Sequence, residues 1–162
     1  MVYKRVILKR GKEESLKRFH PWVFSGAIAR MDNIEEGDLV TVYDHEGNLI
    51  GNGHYQIGSI AVRILTFDDT EIDSAFFVKR LTEAYKMRQA LGLSRPDNNA
   101  FRLVHGEGDF LPGLVVDIYG STAVMQAHSP GMHFARNLIA DALTQLPNAV
   151  VKNVYYKSET TL

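Results

Sequence analysis

The stretch "RFHPWVFSGAI", residues 18–28, places a histidine, a proline and three aromatic rings directly behind Lys9, Arg10, Lys12, Lys17 and Arg18. Cations neutralise phosphates and flat rings receive unstacked bases, so this combination has the chemistry of contact with single-stranded or looped RNA. The five cations are the candidate phosphate contacts. His20, Trp22 and Phe24 either stack on a base or set the shape of the segment. Core packing competes for Trp22 and Phe24, since such rings more often anchor interiors, and His20-Pro21 also reads as a turn. Both readings can hold together, with one aromatic buried to position charges that face outward. For the cations alone, a solvated basic face is the plainer reading.

Other chemistries find less support. "GEGDFLPG" at 106–113 offers Gly106, Gly108 and Gly113 as a phosphate cradle, but it lacks a Lys-Ser/Thr ending and is followed by an apolar strand where a P-loop requires a helix. It reads as a wide, glycine-bent connection between strands. Arg102, Glu107 and Asp109 flank it, either as a salt-bridged corner, the simpler reading, or as a polar patch facing a substrate. None of the six histidines (His20, His45, His54, His105, His128, His133) has another four residues away on a helix, so no metal site is expected. No G-x-S-x-G elbow supports acyl transfer. The absence of cysteine removes disulfides, thiolate metal sites and thiol nucleophiles together.

These residues must be held by a fold that 162 residues, 45% apolar and 23% charged, can build as one domain or two small ones. No apolar run approaches the roughly 18 residues of a membrane span, and the basic start is not followed by a signal-peptide core. A cytoplasmic protein without membrane contact is expected. The net charge of −1 hides an asymmetry: residues 1–30 carry eight basic and two acidic side chains, the remainder ten and seventeen. A basic leading segment on an acidic chain draws polyanions to one place.

Val2–Leu8 predicts a half-exposed strand, Glu14–Arg18 a short helix stopped by Pro21, and Leu39–Tyr43, Leu49–Tyr55 and Ile60–Leu65 three more strands. "DHEGN" joins the first two of these as a tight hairpin. Gly51, Gly53 and Gly58 mark bulges or bends that curl short strands into a small barrel. Asp73 or Ser74 caps a helix of about 18 residues that buries Phe77, Leu81, Ala84, Tyr85 and Leu91 and ends near Gly92. Beyond "SRPDNN", three strands, a helix with Phe134, Leu138, Ile139, Ala142 and Leu146 on one side, and a last strand predict an α+β unit. The expected fold class is thus α+β: a small, mainly-β unit over 1–72, then a helix and an α+β domain over 73–162.

"RFHPWVFSGAI" followed by "EEGDLVTVYDHEGNLIGNGHY" at 35–55 resembles the amino-terminal PUA domain of bacterial class I S-adenosylmethionine (SAM)-dependent methyltransferases that act on carbon 5 of cytosine in 23S rRNA. "NAFRLVHGEGDFLPGLVVDIYG" at 99–120 resembles the start of their middle domain, matching at Asn99-Ala100, Arg102-Leu103, Gly106-Glu107, Asp109, Leu111 to Leu114, Asp117 and Tyr119. The resemblance runs the length of the chain in the family's order, and two long matches in register make it specific.

The resemblance implies a PUA-like barrel contacting RNA, specifically 23S rRNA, and a middle domain that spaces this contact from a Rossmann-like catalytic domain, with Arg102, Glu107 and Asp109 narrowing the substrate cleft. It also implies that the full-length parent uses SAM. The sequence ends at "YYKSETTL", where the third domain would begin. Carbon-5 methylation requires a nucleophile at carbon 6, in this family a cysteine thiolate. With neither cysteine nor a strand–glycine turn–helix cradle for the cofactor, this chain is expected to hold no cofactor or metal and to be inactive by itself. A stand-alone RNA-binding module and a protein-interaction scaffold are the alternatives.

Overall fold

The computed structural model describes residues 2–158. The final four residues, on which the expected junction with a third domain falls, lie outside the described residues. The chain divides after Ile72 into two compact units, each described by itself.

The first unit is one curled sheet of six strands: β1 (Lys4–Leu8), β2 (Trp22–Phe24), β3 (Ile28–Met31), β4 (Leu39–Tyr43), β5 (Leu49–Tyr55) and β6 (Ile60–Thr66), in the order β2-β6-β5-β4-β1-β3. Neighbours are antiparallel except β1 and β4, which run parallel. Its curl is set where β5 meets β6. A Cβ on Gly51 would lie 2.1 Å from the Thr66 carbonyl oxygen, and one on Gly53 2.2 Å from that of Arg63, so only glycine allows the strands this close. Register breaks at Asn52/Gly53 and Val42/Tyr43 add twist. Inside the curl lie Val6, Leu8, Val40, Val42, Val62 and Ile64.

One four-residue helix, α1 (Glu14–Lys17), inserts Leu16 into this core. Buried polar groups are tied locally: the Thr41 hydroxyl donates to Asn52 Oδ1 (2.6 Å), and Asn52 Nδ2 donates to the Thr70 carbonyl (2.9 Å). The Tyr3 hydroxyl accepts from the Ile72 N–H at 3.0 Å, joining the two ends of the unit.

The second unit begins with α2 (Ser74–Ala90), whose first turn is capped by Asp73 accepting from the Phe76 N–H at 3.0 Å. It continues through β7 (Ala100–His105), β8 (Leu114–Tyr119), β9 (Thr122–Ala127), α3 (Pro130–Phe134), α4 (Arg136–Leu143) and β10 (Asn153–Tyr156). The sheet order is β10-β9-β8-β7, with β10 parallel to β9 and the other pairs antiparallel. Burial alternates along β8 and β9. Leu114, Val116, Ile118, Ala123, Met125 and Ala127 form the covered face, and the residues between them stay partly open. With the first unit's sheet, this makes an α+β protein of two sheets and four helices.

Several expectations need correction. The helix expected over 129–146 is two, because Ala135 (ψ 3°) breaks it. Phe134, at the end of α3, and Leu138 in α4 stand 63% and 40% exposed, while Met132, Ile139, Ala142 and Leu143 take the interior. Leu91 is exposed because α2 ends at Ala90. No helix among the described residues is long and apolar enough to cross a membrane, and no three potential metal ligands cluster among them.

His54 on β5 is buried, its Nδ1 without a hydrogen-bond partner, and its neighbour across the ladder is Arg63. Burial, then the Arg63 charge, push its pKa down from 6.5 to about 4. The unfolded chain therefore takes up a proton between these values that the folded one refuses, and stability falls as pH drops from about 6.5 to 4. Asp32, Asp38 and Asp44 are held below the ordinary 3.8, so their contribution is lost only at lower pH. Denaturant titrations should show a loss of about 3 kcal/mol across the histidine window. In His54→Leu that window should flatten while the acid loss below pH 4 remains; an unchanged slope would mean that another group carries it.

Candidate nucleic-acid interface

The segment between β1 and β2 carries the five candidate cations. Its local chemistry is that of a turn and a short helix. Gly11 (φ 80°) reverses the chain after Lys9-Arg10, and α1 follows. The helix ends in a Schellman motif, with the Phe19 N–H donating to the Leu16 carbonyl (2.9 Å) and the His20 N–H to the Ser15 carbonyl (3.0 Å). Only Leu16 is buried in α1, so the residues around it project outward. Lys9, Arg10, Lys12, Lys17 and Arg18 are all exposed.

Among the described residues none of these five lies within ion-pair distance of a carboxylate, whereas Lys4 pairs with Asp38 (3.1 Å) and Arg5 with Asp32 (3.5 Å) on the neighbouring strand. Arg10 and Lys17 both approach the β4–β5 hairpin. Arg10 Nη2 donates to His45 Nε2 at 3.4 Å, and the Lys17 charge acts on Asp44. Burial would raise the Asp44 pKa, but hydrogen bonds from Asn48 and Glu46, with the Lys17 charge, outweigh it and hold the carboxyl low. Lys12 lines a groove of about 300 Å³ with Ser15, Trp22 and Phe24 among its walls.

The aromatic residues form a chain of edge-to-face contacts. His20 meets Trp22 at 5.4 Å between ring centroids, and Trp22 meets Phe24 at 6.3 Å. His20 Nδ1 accepts from the Trp22 N–H at 3.3 Å, so the ring shapes the turn and stays exposed. Trp22 is half-buried, and its indole N–H is buried without a partner among the described residues. Phe24 is 50% exposed and is not the core anchor that composition favoured. A three-residue strand leaning on β6 as an edge buries only its middle residue, Val23.

Phe19 belongs with this set and was not singled out in the sequence. It is 68% exposed, adopts φ 65°, and meets Phe67 edge-to-face at 5.3 Å. A bulky residue in the left-handed region is strained, and such strain gathers at functional sites. The available signal was an aromatic just past a short helix, at the position where glycine normally closes it.

In the second unit the three polar candidates separate. Asp109 is buried and receives both guanidinium branches of Arg88, with Nη2 to Oδ2 at 2.9 Å, and also the His105 N–H at 2.7 Å. Arg102 pairs with Asp117 instead, Nε to Oδ1 at 2.8 Å. Glu107 is exposed. Two separate ion pairs thus stand in place of one corner: Asp109 is held by Arg88 from α2, and Arg102 by Asp117, its cross-strand partner on β8. The glycine turn is a short 3-10 segment (Gly106–Asp109) joining two antiparallel strands. A SAM cradle needs a strand–turn–helix crossover, so these residues do not fit that cofactor.

Residues 6–67 match the PUA-like domain family, so the first unit is a PUA-like domain. Ribosomal RNA large subunit methyltransferase I of Escherichia coli is 41% identical over 145 residues, covering 88% of this chain and 36% of that protein. The Citrobacter koseri protein of the same name is 40% identical over 151 residues, 91% of this chain and 38% of its own. The chain therefore spans little more than a third of the curated relatives it matches. Among solved structures, a candidate SAM-dependent methyltransferase from Streptococcus mutans superposes with a TM-score of 0.80 at 18% identity, over 98% of this chain and 41% of that one. A likeness at that identity concerns the fold alone.

Replacing Phe19 by glycine removes about 1–2 kcal/mol of backbone strain and a ring contact of comparable size. The folded state should stay within about 1 kcal/mol of the original by denaturant titration, while RNA affinity in a filter-binding assay falls. Large destabilisation with intact affinity would make Phe19 purely structural.

Proposed function

We propose that this chain is the RNA-recognition portion of a SAM-dependent ribosomal RNA (cytosine-5) methyltransferase acting on 23S rRNA. In this reading the PUA-like unit grips RNA, and the second unit spaces that grip from a Rossmann-like catalytic domain that binds SAM. The observation that supports the reading is the run of five exposed cations without carboxylate partners among the described residues, set on one short segment beside a groove walled by Trp22 and Phe24.

The physical argument concerns readiness. A cation already paired with a carboxylate must break that pair before it can neutralise a phosphate, and these five carry no such cost. Lys9, Arg10, Lys12, Lys17 and Arg18 would meet phosphates and fix register. His20, Trp22 and Phe24 shape the segment beside them, and Phe24 and Phe19 offer exposed ring surface to an unstacked base. Homology to ribosomal RNA methyltransferases, named for the large subunit, supports ribosomal RNA as the polymer. The carbon-5 chemistry belongs to a part of the parent outside this chain, since that reaction needs a thiolate and this sequence has no cysteine.

With five phosphates contacted, log affinity should fall against log salt with a slope of about −3.5 for single-stranded RNA. Substituting Lys9, Arg10, Lys17 and Arg18 together by alanine should reduce that slope to about −1 and weaken binding across RNA sequences, with the thermal midpoint nearly unchanged. A flat salt response of the unaltered chain would favour a protein-interaction scaffold over this reading.

A further inference from the structure

The sheet of the second unit has one face covered and one open. The strand pairing arranges the open face as rungs. Tyr119 stands opposite Thr122, and Thr122 opposite Asn153. On the next rung Arg102 faces Asp117, Asp117 faces Val124, and Val124 faces Tyr155. On the third, His105 faces Val115 and Val115 faces Gln126. Tyr119 and Tyr155 are each 58% exposed, two strands apart and one rung out of step, which regular strand geometry converts to a separation of about 12 Å.

We propose that this open face is a second RNA-contacting surface, one that receives unstacked bases of a single strand on Tyr119 and Tyr155. The inference rests on the reading of the chain as an RNA-recognition portion and extends it to the unit there treated as a spacer. Composition selects the occupant. The core of a protein-docking patch is more apolar than the surface around it, whereas on these three rungs the aliphatic residues are Val115 and Val124, both already half-buried. What remains is two accessible rings and the side chains of Gln126, Asn153 and Thr122, which can donate and accept hydrogen bonds toward base edges.

The electrostatics agree. The carboxylate on these rungs, Asp117, is held by two guanidinium bonds from Arg102, at 2.8 and 3.2 Å, so it presents no uncompensated negative charge to a phosphate chain. Lys152 and Lys157 stand exposed at either end of β10. Four-stranded sheets that display aromatic side chains on an open face are a general solution for reading single-stranded RNA, since every base has a flat surface to stack. The turn between β7 and β8 at the edge of this face is pinned by the buried Arg88–Asp109 pair.

The test uses the full 162-residue chain with a short single-stranded RNA and the corresponding duplex, measured by fluorescence anisotropy with thermal midpoints as a folding control. Tyr119→Ala with Tyr155→Ala should weaken single-strand binding at least about fivefold, the lower end of what one lost stacking contact costs, and leave the salt slope in place. Tyr119→Phe with Tyr155→Phe should bind as the unaltered chain does, and both tyrosine ring resonances should shift on adding RNA. Unchanged affinity in the alanine pair, or unmoved ring resonances, would overturn the proposal and leave the face to a protein partner. If RNA binding persists there but collapses in the four-cation variant, the first unit's reading stands and this one falls. If the unaltered chain binds no RNA, both fall together.

Discussion

The close approach of β5 and β6 is the constraint on which the first unit depends. Two glycine Cα atoms lie where any side chain would collide with the opposite backbone, and the sheet bends there. A flat six-stranded sheet would have no interior, whereas the bent one encloses Val6, Leu8, Val62 and Ile64 and leaves an opening that Leu16 fills. That insertion matters because a helix of four residues has no stability of its own. α1 exists because Leu16 is buried and because its end is closed by two backbone bonds. The positions of Lys12, Lys17 and Arg18 therefore follow, through α1, from two glycines about forty residues away in the chain.

The distribution of ion pairs is as informative as the number of charges. Exposed salt bridges contribute only about 0–1 kcal/mol, so leaving five cations without a carboxylate partner among the described residues costs the fold little. Lys4 and Arg5, a few residues earlier, are matched with Asp38 and Asp32. Asp44, the acid on which the Lys17 charge acts, is occupied by the Asn48 and Glu46 N–H groups and the Asn48 amide. It shapes the β4–β5 turn, and Lys17 feels it only as a field. Local hydrogen bonding thus engages a carboxylate that would otherwise compete for Lys17.

Features governed by nearby residues were legible in the sequence. The Asp73 cap, the Asp44–Asn48 hairpin, strands β4 to β6 and the bulging glycines of β5 all follow from short-range chemistry and period. Features decided by distant partners were not. β2 and β3 are three and four residues long, too short to show a period, and exist because β6 and β1 offer edges. The parallel pairing of β1 with β4 and the choice of Arg88 as partner to Asp109 are likewise set by packing. The break at Ala135 had no glycine or proline to announce it. At the candidate interface, the cations were visible as a cluster, but Phe19 was not, because its importance lies in a backbone conformation that its residue type disfavours.

The two units call on different physics, and the difference bears on selectivity. The phosphate contact proposed for Lys9 to Arg18 would be strong at low salt and blind to whether the RNA is paired, since both forms present phosphates. The stacking proposed for Tyr119 and Tyr155 would be less sensitive to salt but would require bases free of a helix. A polymer that satisfies both must carry unpaired nucleotides as well as a dense phosphate backbone, which describes loops and junctions of a folded RNA better than a uniform duplex. Each contribution is modest alone, and neither discriminates well. Requiring the two from one ligand converts a general affinity for polyanions into a preference for structured RNA with exposed bases, without base-specific contact in the first unit.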